Sequence, residues 1–275
     1  MKINVLTTTV LAILAMSFCS CEKEPTNGPS DAIMDKESIE VSGIKYNMVL
    51  VKAGTFMMGA LEGDTMAVNT EMPRHQVTLT QDYYIGGTEV TQELYEAVTG
   101  KNPSHFKGAK LPVDGVTYSE ALDFCKALGD RTGHTFTLPT EAQWEYAARG
   151  GHKAPEVSTL FAGSNDLDEV AWYWGNTQYV PDSGSTCPVA TKRPNELGLY
   201  DMSGNVWEWC LDWSAFYNAT PAVDPMGPAT GQYRVLKGGS WYNDPWRCRV
   251  SYRYNNYPEG DDYVHVIGFR VVMIP

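Results

Sequence analysis

A single thiol, Cys248, sits inside the aromatic run GGSWYNDPWRCRVSYRY from Gly238 to Tyr254, ahead of a closing GFR at Gly268 to Arg270. A thiolate is a soft ligand that suits Cu(I), and a stable copper site needs a second such donor converging on the metal. Five residues upstream, where that donor would share the site, stands Asn243, whose amide oxygen is hard. The pair offers half of a two-thiolate site. A disulfide is the competing use of the same sulfur. Cys125, Cys187, Cys210 and Cys248 remain once Cys19 and Cys21 are set aside, and pairing of Cys248 with Cys210 or Cys187 is open in an oxidising compartment. Hard-ligand chemistry is suggested upstream, in GLYDMSGNVWEWC from Gly198 to Cys210. Carboxylates of Asp201 and Glu208, with carbonyls of the intervening backbone, could wrap Ca²⁺, which prefers about six to eight oxygens. A buried, salt-linked turn is the other reading of these residues.

Such groups need a scaffold, and the sequence indicates its parts. MVLVKAGTFMMGA, Met48 to Ala60, alternates apolar and small residues and ends as a strand and tight turn would, and EMPRHQVTL with YYIGGTEVT reads as further strand. Thr88 or Thr91 can cap a helix over Gln92 to Val98, which Gly100 ends. Thr117 or Ser119 caps a second, with Ala121, Leu122, Cys125 and Leu128 along one face, so Cys125 is a core residue. In FTLPTEAQWEYAARGG, Thr140 and Gln143 form a capping box, Trp144, Ala147 and Ala148 the buried face, and Gly150 with Gly151 the stop. From Gly151 to Asn195 no period is sustained, which predicts ordered loops stitched by aromatic side chains that can also line a cleft.

The first twenty-one residues stand apart: Lys2, an apolar run from Val5 to Phe18, then Cys19, Ser20 and Cys21. The run is too short for a bilayer that needs about 20 residues, and its charged start fits an export signal. Residues 22–40, with Pro25, Gly28 and Pro29, read as a flexible tether, and 41–275 as one domain. The formal net charge is -12, which disfavours nucleic acid or an anionic membrane surface as partner.

The leader resembles bacterial lipoprotein signals, in which a cysteine after a small residue is acylated. That resemblance implies lipidation at Cys21 and a membrane-anchored, exported protein of the cell envelope, held to the membrane through its lipid alone. Glu22, Lys23 and Glu24 resemble the surface-export signal of some Bacteroidetes lipoproteins. Five segments in order, MVLVKAGTFMMG, EMPRHQVTL, LPTEAQWEYAARGG, GLYDMSGNVWEWC and GGSW with GFR, resemble the sulfatase-modifying-factor family, whose best known member is the formylglycine-generating enzyme. The resemblance implies an α+β fold, C-type-lectin-like and low in regular secondary structure.

It also implies a structural calcium site at Asp201, Gly204, Val206 and Glu208, largely through backbone oxygens. A second family calcium site falls in the stretch matching Ala171 to Thr186, where VAWYW replaces the asparagine-containing ligand segment. The enzyme oxidises a cysteine in Cys-x-Pro-x-Arg to formylglycine with Cu(I) and O₂, holding copper on two cysteines five apart. Matched from GGS, the second falls on Cys248 and the first on Asn243, a pocket serine matches Ser240, and an asparagine before GFR is replaced by Val266. The family's iron-dependent sulfoxide synthases carry a His-rich motif, whereas the five His here are scattered without ligand spacing. The half-kept site leads to a binding or scaffold lipoprotein with an envelope protein, peptide or glycan as ligand. Similar domains occur in gliding and secretion-machinery lipoproteins of Bacteroidetes. The alternative is a formylglycine-generating oxidase with Cys248 and Ser240 as its catalytic residues.

Overall fold

The computed structural model describes residues 36–177, 184–260 and 264–275; the expected signal segment and Cys21 lie outside them. In chain order the strands are β1 (Lys36–Val41), β2 (Ile44–Val51), β3 (Gly54–Met58), β4 (His75–Leu79), β5 (Tyr83–Gly86), β6 (Thr135–Thr137), β7 (Trp207–Trp213), β8 (Ala222–Val223), β9 (Arg234–Lys237), β10 (Arg253–Asn256), β11 (Ile267–Gly268) and β12 (Val272–Ile274). The helices are α1 (Gln92–Thr99), α2 (Tyr118–Thr132), α3 (Glu141–Ala148), α4 (Leu167–Val170) and α5 (Trp174–Thr177). This is the expected α+β fold with little regular secondary structure.

The tether expected over 22–40 overlaps β1, which pairs antiparallel with β2 from Lys36 to Val41. Ile39 and Val41 are buried while Lys36, Ser38 and Glu40 face outward. The last residues of that span form a half-buried strand, whose side chains alternate between core and solvent. The rest of the proposed tether lies outside the described residues.

The sheets have orders β1-β2-β5-β12-β6, β10-β9-β7-β11 and β3-β4-β8. The last strand β12 runs antiparallel between β5 and β6, so the C-terminus completes a sheet begun at Lys36. The expected strand through Tyr83 to Thr91 stops at Gly86, where any Cβ would collide with the Tyr46 hydroxyl. Thr91, Thr117 and Thr140 are the caps of α1, α2 and α3, and Gly100 ends α1 in the left-handed region at φ 73°. Both α2 and α3 carry full capping boxes, which satisfy backbone N–H groups left orphaned at a helix start. Helix α2 packs Tyr118, Ala121, Phe124, Cys125 and Leu128 into a core with Trp207, Trp209 and Phe269, as expected for Cys125. Among the described residues, the stretch from Gly151 to Asn195 holds a 3₁₀ turn at Gly151–Lys153 and the one-turn helices α4 and α5 among loops.

Helix α3 is buried almost all round, in a second core with Tyr83, Met202 and Val272. A helix this enclosed has no polar face to give to water, so its charged residues need internal partners. Glu145 takes Lys237 at 3.0 Å and Arg149 at 2.8 Å, and Glu141 takes Arg253 at 2.6 Å. The α3 residue Trp144 donates its indole N–H to Glu208 Oε2 at 2.7 Å. The same carboxylate binds Arg270 at both oxygens, Nε to Oε2 at 2.6 Å and Nη2 to Oε1 at 2.7 Å. Arg270 further donates to the carbonyls of Gly86 and Tyr200, both at 3.0 Å.

Glu208 and Arg270 are both 0% exposed, so removing one strands the other's charge without water. Arg270→Met is expected to lower unfolding free energy by about 3–5 kcal/mol. Denaturant titration of the two proteins measures it, and a loss below about 1 kcal/mol would show that the pair is not the tie described here.

Candidate functional site

Strands β9 and β10 are antiparallel neighbours, and the chain between them builds a cleft wall. The wall begins with two glycines of positive φ, Gly238 at 95° and Gly239 at 77°. At Gly239 a Cβ would also lie only 2.8 Å from the Cys248 sulfur, so a side chain is excluded on two counts. Ser240 then makes a tight turn. Its Oγ donates to Asn243 Oδ1 at 2.8 Å, and its carbonyl accepts from the Asn243 N–H at 3.0 Å. One 3₁₀ turn, Pro245–Cys248, leads on to β10.

The cavity against this wall measures about 400 Å³. Trp207, Leu236, Val266 and Ile267 supply apolar lining; Tyr242, Asn243, Asp244, Arg247, Tyr254 and Asn256 supply the aromatic and polar part. Tyr242 also lines an adjoining cavity of about 420 Å³ with Phe106, Trp174, Trp241, His105 and His265. Trp174 and Tyr242 meet edge to face at 5.4 Å, and the Trp207 and Tyr254 rings lie 5.6 Å apart at 30°. Both tyrosines are well exposed, 49% for Tyr242 and 43% for Tyr254. Planar amphipathic rings of this kind offer apolar area and a polar edge at small entropic cost, as recognition surfaces do.

Cys248 does not line either cavity. Its side chain is wholly buried in a small apolar cluster with Phe161, Leu167, Val170 and Ala171. Burial pushes the thiol up to about 12, against a lesser opposing pull from the Ser240 backbone N–H. Such a thiol is a neutral packing group, since the thiolate is the form that ligates metals and attacks. Ser240 is also fully buried, and its hydroxyl is committed to Asn243. Of the expected pocket positions, Asn243 and Val266 face the cleft while Cys248 and Ser240 stand behind it. Asn243 and Cys248 therefore do not line the same cavity. The five residues of spacing are taken up by a turn and a 3₁₀ segment, with Asn243 lining the cleft and the Cys248 sulfur packed in the apolar cluster. The disulfide reading is corrected: Cys125, Cys187, Cys210 and Cys248 are all free and buried.

At the expected calcium segment, Glu208 is occupied by Arg270 and Trp144, as the salt-linked reading required. Gly204 holds φ 82° with the Trp172 backbone against its Cα, and Val206 is a core residue. Asp201, buried and itself at φ 57°, accepts the Ala190 N–H at Oδ2, 2.8 Å away, while Oδ1 is buried without a partner. Glu89, a residue the sequence reading missed, is likewise buried with Oε1 unpartnered, and Asn205 donates weakly to its Oε2 at 3.4 Å. Burial first, then the neighbouring Asp201 charge, raises Glu89 well above the usual carboxylate range; burial raises Asp201 to about 6. Glu89, Asp201 and Glu208 thus interact with Arg270 as their main cation. Among the described residues no group of three or more His, Cys, Asp and Glu is gathered tightly enough to hold a metal by itself. Any ion here would draw on backbone and amide oxygens too. Part of the second expected calcium stretch, residues 178–183, lies outside the described residues.

The sequence matches the Sulfatase-modifying factor enzyme 1-like domain over residues 38–274. It is 33% identical to a Paenibacillus barcinonensis protein named Chaperone protein LppX, over 76% of this chain and 83% of that one. It is 38% identical to the Formylglycine-generating enzyme of Streptomyces coelicolor, over 63% of this chain and 54% of that one, so it spans about half of the enzyme's length. Among solved structures, Treponema denticola variable protein 1 superposes with TM-score 0.77 and 32% identity, covering 87% of this chain and 99% of the other. PvdO from Pseudomonas aeruginosa gives TM-score 0.71 and 27% identity, over 83% and 94% of the two chains.

Burial at all four sulfurs sets an outcome for thiol labelling. Under native conditions Ellman's reagent is expected to leave Cys125, Cys187, Cys210 and Cys248 unmodified, and in denaturant to modify all of them. Fast native labelling of Cys248 would mean that its sulfur reaches the cleft.

Proposed function

The chain belongs to the Sulfatase-modifying factor enzyme 1-like family, and we propose that it is a binding member of that family which recognises a ligand at the Tyr242–Tyr254 cleft and does not oxidise cysteine. One observation carries the reading. Asn243 takes the cleft position with its amide oxygen held by Ser240, while the thiol that would complete a copper site is packed among Phe161, Leu167 and Val170. This donor set does not fit Cu(I), which needs converging soft ligands. The replacement of a polar residue by Val266 makes the cleft floor apolar, which suits retention of a ligand more than charge development in a reaction. The ligand is an envelope protein, peptide or glycan that stacks on Tyr242, Trp174 and Tyr254 and bonds to Asn243, Asn256 and Arg247. The relative named a chaperone gives the same direction, since a chaperone acts by binding.

The protein acts, in this reading, as an exported lipoprotein anchored through Cys21 on the envelope. Lys2, the apolar run Val5 to Phe18, and Ser20 before Cys21 support it. Calcium is its structural ion. Glu89 Oε1 and Asp201 Oδ1, buried and unpartnered, are the groups that would hold it, with backbone oxygens beside Gly204 and Val206. Glu208 would contribute little, because Arg270 and Trp144 already occupy it.

In anaerobic titration, no tight 1:1 Cu(I) complex dependent on Cys248 is expected, and a Cys-x-Pro-x-Arg peptide should emerge with unchanged mass. Formylglycine in that peptide would overturn the reading. Replacing Tyr242 and Tyr254 together by Ala should weaken capture of the envelope ligand by about tenfold or more, as loss of central aromatic anchors does.

Calcium at about a hundred times its dissociation constant should stabilise the fold by about 2.7 kcal/mol. Chelation should reverse the gain, and Asp201→Asn with Glu89→Gln should abolish it. An identical melting temperature with calcium and with chelator removes calcium from the account.

A further inference from the structure

A second pair of cavities lies on either side of an exposed phenylalanine in the loop after β7. We propose that the larger of them is a docking site for a basic side chain, carried on an extended segment of a partner protein that straddles Phe216. The larger cavity shares no lining residue with the Tyr242 cleft, although the smaller one meets that cleft at Tyr254.

The larger cavity measures about 410 Å³. Its floor holds Glu141, Asp212 and Arg253, and its rim includes Phe216 and Met226. Two carboxylates thus face one guanidinium, and Glu141 takes nearly all that the guanidinium offers. Arg253 donates to it from Nε at 2.7 Å and from Nη2 at 2.6 Å, and the Tyr217 hydroxyl adds a third bond at 2.9 Å. The other Arg253 nitrogen, Nη1, goes to the carbonyls of Ala215 and Thr70. Asp212 is left without a cation of its own. Its Oδ2 accepts the Glu141 backbone N–H at 2.7 Å, and among the described residues no Lys, Arg or His forms an ion pair with it. The residue is only 4% exposed, and burial, with the neighbouring Glu141 charge, raises its carboxyl to about 7. A buried carboxylate in this state gains from a cation that arrives with its own apolar stem, since the stem fills the cavity while the head supplies the missing charge.

The occupant's chemistry follows from the surroundings. A bare metal ion is disfavoured, because the described residues gather no group of three acidic, His or Cys ligands. A small free amine would leave the rim uncovered, where Phe216 is 82% and Met226 63% exposed. The smaller cavity, about 270 Å³, shares Ala215, Phe216 and Arg253 with the larger and adds Thr70, Ser214 and Asn255. Phe216 is therefore shared by two pockets, one that holds the Glu141 and Asp212 carboxylates and one that is lined by polar and aromatic side chains with the Arg253 guanidinium. A polypeptide laid across it can place successive side chains on either side. The charge of -12 favours approach of a basic partner over an acidic one.

The probe is a set of short capped peptides of alternating Ala and Leu with one central residue varied, titrated into the protein by NMR. The lysine peptide is expected to shift the amides of Ala142, Tyr217 and Ala222, and the norleucine peptide, which keeps the stem and lacks the charge, to bind at least about tenfold more weakly. Asp212→Asn keeps an acceptor for the Glu141 N–H and should erase the difference between the two peptides. Phe216→Ala, at a position too exposed to affect folding, should weaken both. Equal binding of lysine and norleucine peptides by the unaltered protein, or no shift with either, overturns the proposal. So does discrimination that persists in Asp212→Asn, and so does a Phe216→Ala protein that binds as tightly as the parent.

Discussion

One buried ion pair, Arg270 with Glu208, ties together five segments of this fold. The carboxylate comes from β7, the guanidinium from the turn between β11 and β12, and their remaining partners from α3 (Trp144), β5 (Gly86) and the loop before β7 (Tyr200). These are the pieces that a chain poor in regular structure must hold in register. Taking two charges out of water costs several kcal/mol per ion, and the mutual attraction offsets that only where the other hydrogen-bonding groups are also satisfied. Arg270 reaches such saturation in one arrangement of five segments. An assembly with any of them misplaced keeps the desolvation penalty and loses a partner, so the pair selects the native packing even where it adds little net stability.

Helix α3 repeats that logic in miniature. Eight residues are too few to be stable alone, and its burial leaves no solvent-facing side to carry its charges. The capping box of Thr140 and Gln143 satisfies the start, and Lys237, Arg149 and Arg253 neutralise the helix's two glutamates. Two of those cations, Lys237 and Arg253, sit on β9 and β10, the strands that bracket the cleft wall. The wall's position is therefore set from beneath by electrostatics, leaving its outward residues free to change without disturbing the fold.

This division explains what was legible in the sequence. The caps at Thr91, Thr117 and Thr140, the helix stop at Gly100 and the core role of Cys125 were readable because each depends on neighbours within a few positions. LPTEAQWEYAARGG and GLYDMSGNVWEWC were readable as family signatures because they hold Trp144, Glu145 and Glu208, whose partners admit no substitute. What could not be read was direction. Nothing local shows that Gly239 brings its backbone against the Cys248 sulfur and so turns that thiol inward, or that Ser240 spends its hydroxyl on Asn243. The end of the tether was drawn past Lys36 for a related reason: Pro25, Gly28 and Pro29 suggest a loose stretch without marking where it ends, and β1 is recognisable only once its partner strand buries Ile39 and Val41. Glu89 left no signal of its own, since its meaning comes from Asp201, more than a hundred residues away in the chain.

The same separation bears on how a binding protein and an oxidase can share this frame. The groups that specify the fold lie beneath the wall: Arg270, Glu208, Lys237 and the glycines at 238 and 239. The groups that line the cleft lie on it, at Tyr242, Asn243, Asp244, Arg247 and Tyr254. Copper chemistry requires two thiolates on the outer side, and a substitution such as asparagine at 243 removes one without touching any buried ion pair. In this chain the Cys248 thiol packs as a small apolar group among Phe161, Leu167 and Val170. The aromatic cleft survives that change intact, because Trp207 and Tyr254 are held by β7 and β10 and not by any metal. An aromatic cleft held in this way needs no metal to keep its shape, which is the physical basis of the binding role proposed above.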